Sequence, residues 1–117
     1  MEFNFDGTWT NKLGSLMVLK VDDSTGMVSG EYRTAVGEPN PDEVFPITGF
    51  AQGDLLTFCV NFDHHSSLAT WTGQATIDND QVVIRTLWHL VNDVEDPLEP
   101  LNIWGSIRTG SDEFHPS

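Results

Sequence analysis

The segment SLATWTGQATIDNDQVVIRTLWHLV, Ser67–Val91, decides the fold. Ser67, Ala69, Trp71, Gly73 and Ala75 alternate with Leu68, Thr70, Thr72 and Gln74. After Asp78-Asn79-Asp80 the alternation resumes, Val82, Ile84, Thr86, Trp88 and Leu90 opposing Val83, Arg85, Leu87 and His89. A period of two is the signature of a strand, whose successive side chains point to opposite faces. Asn and Asp tolerate left-handed backbone and bond their own chain, so the run between the two halves reads as a turn. The segment is therefore a β-hairpin, with strands expected over Leu68–Ile77 and Val82–Val91.

The same period continues outward in both directions. It predicts strands over Gly7–Lys12, Gly14–Val21, Met27–Ala35, Phe45–Gln52, Leu55–Phe62 and Ile103–Phe114, the last with a break possible at Gly110. Asp22-Asp23-Ser24-Thr25-Gly26 and Gln52-Gly53-Asp54 are further tight turns. Only Gly37–Val44 and Asn92–Asn102 are longer connections, each carrying two prolines. Eight short strands joined mostly by tight turns predict an all-β fold, an eight-stranded antiparallel up-and-down barrel with a ligand site at its open end. A β-sandwich is the structural rival.

Parity sorts the residues by face. In the third strand Val28, Gly30, Tyr32 and Thr34 oppose Ser29, Glu31 and Arg33, and the charges mark the second set as outward. In the fifth, Leu56, Phe58, Val60 and Phe62 share a face. The inward faces thus mix aromatic walls (Phe62, Trp71, Trp88) with hydroxyls (Tyr32, Thr34, Ser67). A plain core would use Leu, Ile and Val, because a buried hydroxyl without a partner is costly. A small-molecule site combines the two. Val83, Leu87, Leu68 and Cys59 fall outward, where apolar groups hint at a subunit contact.

Composition narrows the function classes. Five Lys and Arg stand against 18 Asp and Glu, a formal net charge of −13. Such a field repels phosphate backbones and anionic headgroups, which makes nucleic acid and membrane surfaces poor partners. Seven Phe, four Trp and one Tyr mark a folded body rather than an acidic tail. At 117 residues the chain reads as a single domain, residues 1–117. No apolar run approaches the ~20 residues of a membrane helix, and no basic-then-apolar secretory leader is visible. Cys59 is the sole cysteine, so no intrachain disulfide can form and packing must hold the fold.

Five blocks then add a resemblance. They are Gly7-Thr8-Trp9-Thr10-Asn11-Lys12-Leu13-Gly14-Ser15, Gly30–Gly37, Ser67–Gln74, Thr86-Leu87-Trp88-His89-Leu90, and Trp104 with Gly110, Asp112 and Phe114. In this order and spacing the chain resembles the avidin and streptavidin family of biotin-binding proteins, from Gly7 to Phe114. The resemblance implies biotin as the bound ligand, with no other cofactor and no enzymatic activity. Asn11, Ser15 and Tyr32 match the family positions that donate to the carbonyl oxygen of the cyclic urea, and Asp112 and Thr34 those that accept from its N–H groups. Trp71, Trp88, Phe62 and Leu90 match the walls around the rings and the aliphatic chain. Ser67 and the backbone at Glu38 match the carboxylate end, and Val36 and Ala69 also fall in the matching blocks. Trp104 matches the tryptophan lent to a neighbouring subunit, which implies a homotetramer, with a dimer as the other assembly. Family analogy further implies a secreted protein that sequesters the vitamin.

The chain also departs from the family pattern. Phe62 stands where Trp is usual, a smaller aromatic wall. Ala69 stands where a Thr hydroxyl would donate to the thioether sulfur, a loss of roughly 1 kcal/mol. Glu38 replaces a small polar residue and is followed by Asp42 and Glu43. Like charges there would disfavour free biotin relative to an amide-linked conjugate.

Other readings of the same residues stay open at this point. Asn11 and Ser15 could cap the first turn, Tyr32 could be a core tyrosine, and Trp71 and Trp88 could be packing alone. A lipocalin-like or carbohydrate-binding barrel would use the aromatics without needing Asp112. An enzyme pairing Asp112 with Tyr32 would need a carboxyl tuned near working pH. His64 and His65 invite a metal reading, but no Cys or His cluster completes a ligand set, so they read as a solvated loop.

Overall fold

The computed structural model describes residues 3–35, 43–98 and 103–117. Eight strands form a closed antiparallel barrel in which each pairs with its neighbours in chain order and β1 closes onto β8. They are β1 Gly7–Asn11, β2 Leu16–Val21, β3 Met27–Arg33, β4 Phe45–Gln52, β5 Leu55–Phe62, β6 Ser67–Asp78, β7 Gln81–Asn92 and β8 Ile107–Pro116. The long β6–β7 hairpin is in the register its alternation predicts, with Trp71 opposite Trp88 and Asp78 opposite Gln81. Asn79 and Asp80 both take left-handed backbone, φ 52° and 63°, the pair of positive angles a two-residue hairpin turn needs.

Closure leaves no free edge in the sheet, so every strand has two partners. In such a meander the connections alternate between the two ends. The strand ends joined by the β1–β2, β3–β4, β5–β6 and β7–β8 links therefore share one end of the barrel. The opposite end is plugged. Phe5, Trp9, Phe58 and Phe114 are buried there, the Trp9 indole N–H donates to the Phe5 carbonyl (2.9 Å), and Asp6 accepts from the Val21 amide (2.8 Å).

Three sequence expectations need correction. Ile103–Ser106 is a 3-10 turn rather than the start of a strand, and β8 runs unbroken through Gly110 to Pro116. Val83 lies on the outer face by parity yet is only 2% exposed. It stands outside the core cluster, on the same face as Arg85, whose side chain reaches Asp78 and Glu113. Long side chains of this kind cover apolar surface with their stems. His65 is not simply solvated: its ring packs edge-on to Phe45 (5.9 Å between centroids) and meets Glu43 at 2.9 Å. His64 does project into solvent, near Asp63.

Candidate functional site

The barrel's open end leads into a cavity of about 930 Å³. Its deep part is built around the β1–β2 turn. Asn11 ends β1, its backbone N–H donates to the Ser15 carbonyl (3.1 Å), and its Oδ1 accepts from the Ser15 N–H (2.8 Å). With Oδ1 held this way, the side-chain NH2 must face the lumen, where it donates to Asp112 Oδ2 at 2.8 Å. Turn capping and display into the lumen are thus the same arrangement, not alternatives. Ser15, 1% exposed, accepts from the Ala35 N–H through its Oγ (3.0 Å).

Tyr32 comes from β3 and reaches the same floor, its hydroxyl near enough to the Ser15 side chain to be influenced by it. Burial pushes its phenol up to about 12, with the Asp112 charge acting in the same direction, so it stays a protonated donor at physiological pH. Asp112, on β8 opposite Thr86, has its carboxyl pKa raised mainly by burial, while the Asn11 amide, the Glu113 backbone and the Trp71 indole favour its charged form. The Trp71 N–H is buried with no partner within hydrogen-bonding distance, near enough to Asp112 to act on its charge but not to pair with it. Thr34, buried at 8% exposure, also lines the cavity.

Aromatic walls rise from this floor. Trp71 stacks on Phe58 (4.9 Å, 12°) and tilts against Tyr32 (5.1 Å), while Phe62 meets Tyr32 and Phe45 edge-on. Trp88 faces Trp71 across the β6–β7 ladder and rests on Gly110 of β8. A Cβ at Gly110 would lie 2.5 Å from the indole Cζ2, so only glycine lets the ring lie flat against the strand and leave the lumen open. Ala69 and Leu90, a cross-strand pair, and then Ser67 continue toward the mouth.

The structure therefore brings Asn11, Ser15, Tyr32, Thr34, Phe62, Ser67, Ala69, Trp71, Trp88, Leu90 and Asp112 to one cavity. Val36 and Glu38 lie outside the described residues, as does the side chain of Trp104, whose backbone sits in the 3-10 turn Ile103–Ser106. Sequence reasoning missed Leu13, His65, Asn92, Asp93 and Arg108, which also line the cavity. Arg108 was accessible to parity, two inward steps from Asp112 on the expected last strand, whose residues the sequence reading does not sort by face. Asn92 likewise continues the inward row of β7 past Leu90, whereas Leu13, His65 and Asp93 lie outside the strands, where alternation gives no facing. Among the described residues no three His, Cys, Asp or Glu side chains converge on a metal position.

At its floor this arrangement offers fixed donors, one carboxylate acceptor and flat apolar walls, the chemistry to grip a small polar ring. The sequence matches the Avidin family over residues 1–117. The chain belongs to the avidin family. Among its relatives, avidin-related protein 4/5 of Gallus gallus is 34% identical over 115 residues, covering 92% of this chain and 74% of that protein. Avidin of Gallus gallus is 34% identical over 119 residues, covering 88% and 78%. Xenavidin superposes with a TM-score of 0.86 at 26% identity, covering both chains completely. A rhizavidin–biotin complex superposes with a TM-score of 0.77 at 27% identity, covering 93% of this chain and 96% of that one. The avidin-family barrel accounts for the closed topology and for the open end where the candidate residues meet.

Proposed function

We propose that this avidin-family chain binds biotin tightly and non-covalently, as a sequestering protein and not an enzyme. The observation that carries the reading is the floor: Asn11, oriented by the Ser15 amide and bonded to Asp112, beside a Tyr32 hydroxyl that remains protonated. In this reading the urea carbonyl oxygen accepts from Asn11, Ser15 and Tyr32, polarised as in an oxyanion hole. Asp112 and Thr34 accept from the urea N–H groups, the carboxylate bond being charge-assisted. Trp71, Trp88, Phe62 and Leu90 desolvate the rings. Because Asn11 and Ser15 are already tied down, little side-chain order has to be created on binding. The rhizavidin–biotin complex, similar along almost the whole chain, supports this choice of ligand.

Titration calorimetry with biotin, on folded protein freed of carried-over ligand, tests the reading. One site per chain with submicromolar affinity is the expected result. Absence of heat would overturn it in favour of another small molecule in the same barrel.

The proposal extends to self-association, as a homotetramer or a dimer. On a chain of net charge −13, the outer rows Thr57–Thr72–Leu87–Ser111, Cys59–Thr70–His89–Thr109 and Asn61–Leu68–Val91–Ile107 carry no carboxylate. Leu68, Leu87 and Ile107 are each more than half exposed there, a face suited to a second copy. Trp104 would then reach a neighbour's pocket. Sedimentation of Leu87→Glu should show smaller particles than the unaltered chain, and an unchanged profile would refute this face. Export from the cell belongs to the same proposal, by family analogy.

A further inference from the structure

The inward positions of β8 form a column from floor to mouth: Phe114, Asp112, Gly110 and Arg108. Arg108 pairs with Leu90 and lines the cavity, and one inward step further out Ser67 and Asn92 pair with each other. Arg108 lies four positions from Asp112 along the strand. That is about 13 Å of strand, or roughly 10 Å of depth once the tilt of strands in a barrel is counted. A bicyclic head held at Asp112 with a valerate tail running up the lumen ends at this level.

The charge on Arg108 also has no ion-pair partner among the described residues. The ion pairs among the described residues employ Arg85, His64, His65 and His115, and none involves Arg108. A guanidinium with no carboxylate partner among the described residues is notable at a cavity mouth that Asp93 also lines. Of the acidic run that follows Glu38, the Glu43 carboxylate is held by His65 at 2.9 Å.

We infer that Arg108 is a specificity-determining residue that selects the ligand carrying a free carboxylate at the end of its tail. The inference rests on the biotin reading above and names the chemical form the site takes. A guanidinium fork matches a carboxylate in two parallel hydrogen bonds, and the Ser67 hydroxyl stands nearby as a further donor. The effect opposes the one expected from Glu38, Asp42 and Glu43 alone, which favours amide-linked conjugates. Since the mouth is open to solvent, salt screens the attraction.

The test compares biotin with biotin amide, which shares the head and tail but ends uncharged, on the unaltered chain, Arg108→Gln and Arg108→Lys. At low ionic strength the unaltered chain should bind biotin about tenfold more tightly than the amide, a ratio that shrinks as salt rises. Arg108→Gln should bring the ratio close to one by weakening biotin more than the amide, with circular dichroism reporting that the barrel is intact. Arg108→Lys should retain part of the preference. Equal affinities or an amide preference in the unaltered chain, or an undiminished ratio in Arg108→Gln, would overturn the inference while leaving the biotin reading standing. Failure of folded protein to bind either compound would overturn both.

Discussion

The floor and the mouth of the barrel are lined by the same strands but organised in opposite ways. At the floor the polar side chains are tied to one another: Ser15 N–H holds Asn11 Oδ1, Asn11 holds Asp112, and Tyr32 lies beside Ser15, with the Trp71 N–H the buried exception. These groups are largely shielded from water, so each bond is strong and each missing partner costly. At the mouth, Arg108 and Leu13 are exposed and His65 meets a partly exposed Glu43. Contacts in such a setting are screened and can rearrange. The floor is built to recognise one pattern of donors and acceptors, the mouth to bias which tail emerges.

Asp112→Ala should break this contrast most severely. It removes the floor's carboxylate and leaves the Asn11 NH2 without its partner, so biotin affinity should fall by about 2–3 kcal/mol, roughly 30- to 150-fold, with the barrel still folded by circular dichroism. An unchanged dissociation constant would mean that the floor is not where the ligand is read. Gly110→Ala comes next. The added methyl must displace the Trp88 ring into the lumen, and a loss of about tenfold should appear in titration, with an altered tryptophan fluorescence spectrum.

Acid should separate ligand binding from fold stability at the floor. Burial raises the Asp112 pKa above its ordinary 3.8, so as pH falls the carboxylate is lost earlier than an ordinary one, and affinity should begin to decline above the usual carboxylate range. For the ligand-free fold the sign is opposite. A carboxyl whose folded pKa is raised contributes stability that is complete below its unfolded pKa and is lost as pH rises through the folded value. Asp112→Asn should therefore leave the melting temperature of the free protein at pH 7 unchanged or higher, and a clear drop would contradict burial as the dominant influence. The smallest effect belongs to the mouth. His65→Ala removes a contact with Glu43 and should change affinity only about two- to threefold, with most of that change abolished by salt. A loss approaching that of Asp112→Ala would erase the distinction between the two regions.

Much of this was legible in the chain because a period of two is a local property. Trp71, Trp88, Phe58, Val60 and Tyr32 could be assigned inward from their neighbours alone, and turns such as Asp78-Asn79-Asp80 declare themselves by residue type. Asn11, Ser15, Tyr32 and Asp112 became candidate ligand groups only through the family resemblance of the blocks that carry them, since alternation alone left each open to a plainer role. Where alternation faded, the reading slipped. Ile103–Ser106 has apolar residues but closes as a 3-10 turn, so β8 starts at Ile107 and not at Ile103.

The sequence by itself determined strand composition, facing and order, because alternation and turn chemistry act over a few residues. It also determined the strongly acidic exterior and the absence of an intrachain disulfide. Tertiary structure alone decided what depends on barrel closure. That includes the Asn11–Asp112 bond across 101 positions of chain, the raised pKa values of Tyr32 and Asp112, and the bare strand at Gly110 on which Trp88 lies. It also decided that Val83 is covered and that His65 turns toward Glu43. These are distances and solvent exposures between segments remote in sequence, and they acquire values only when the last strand pairs with the first.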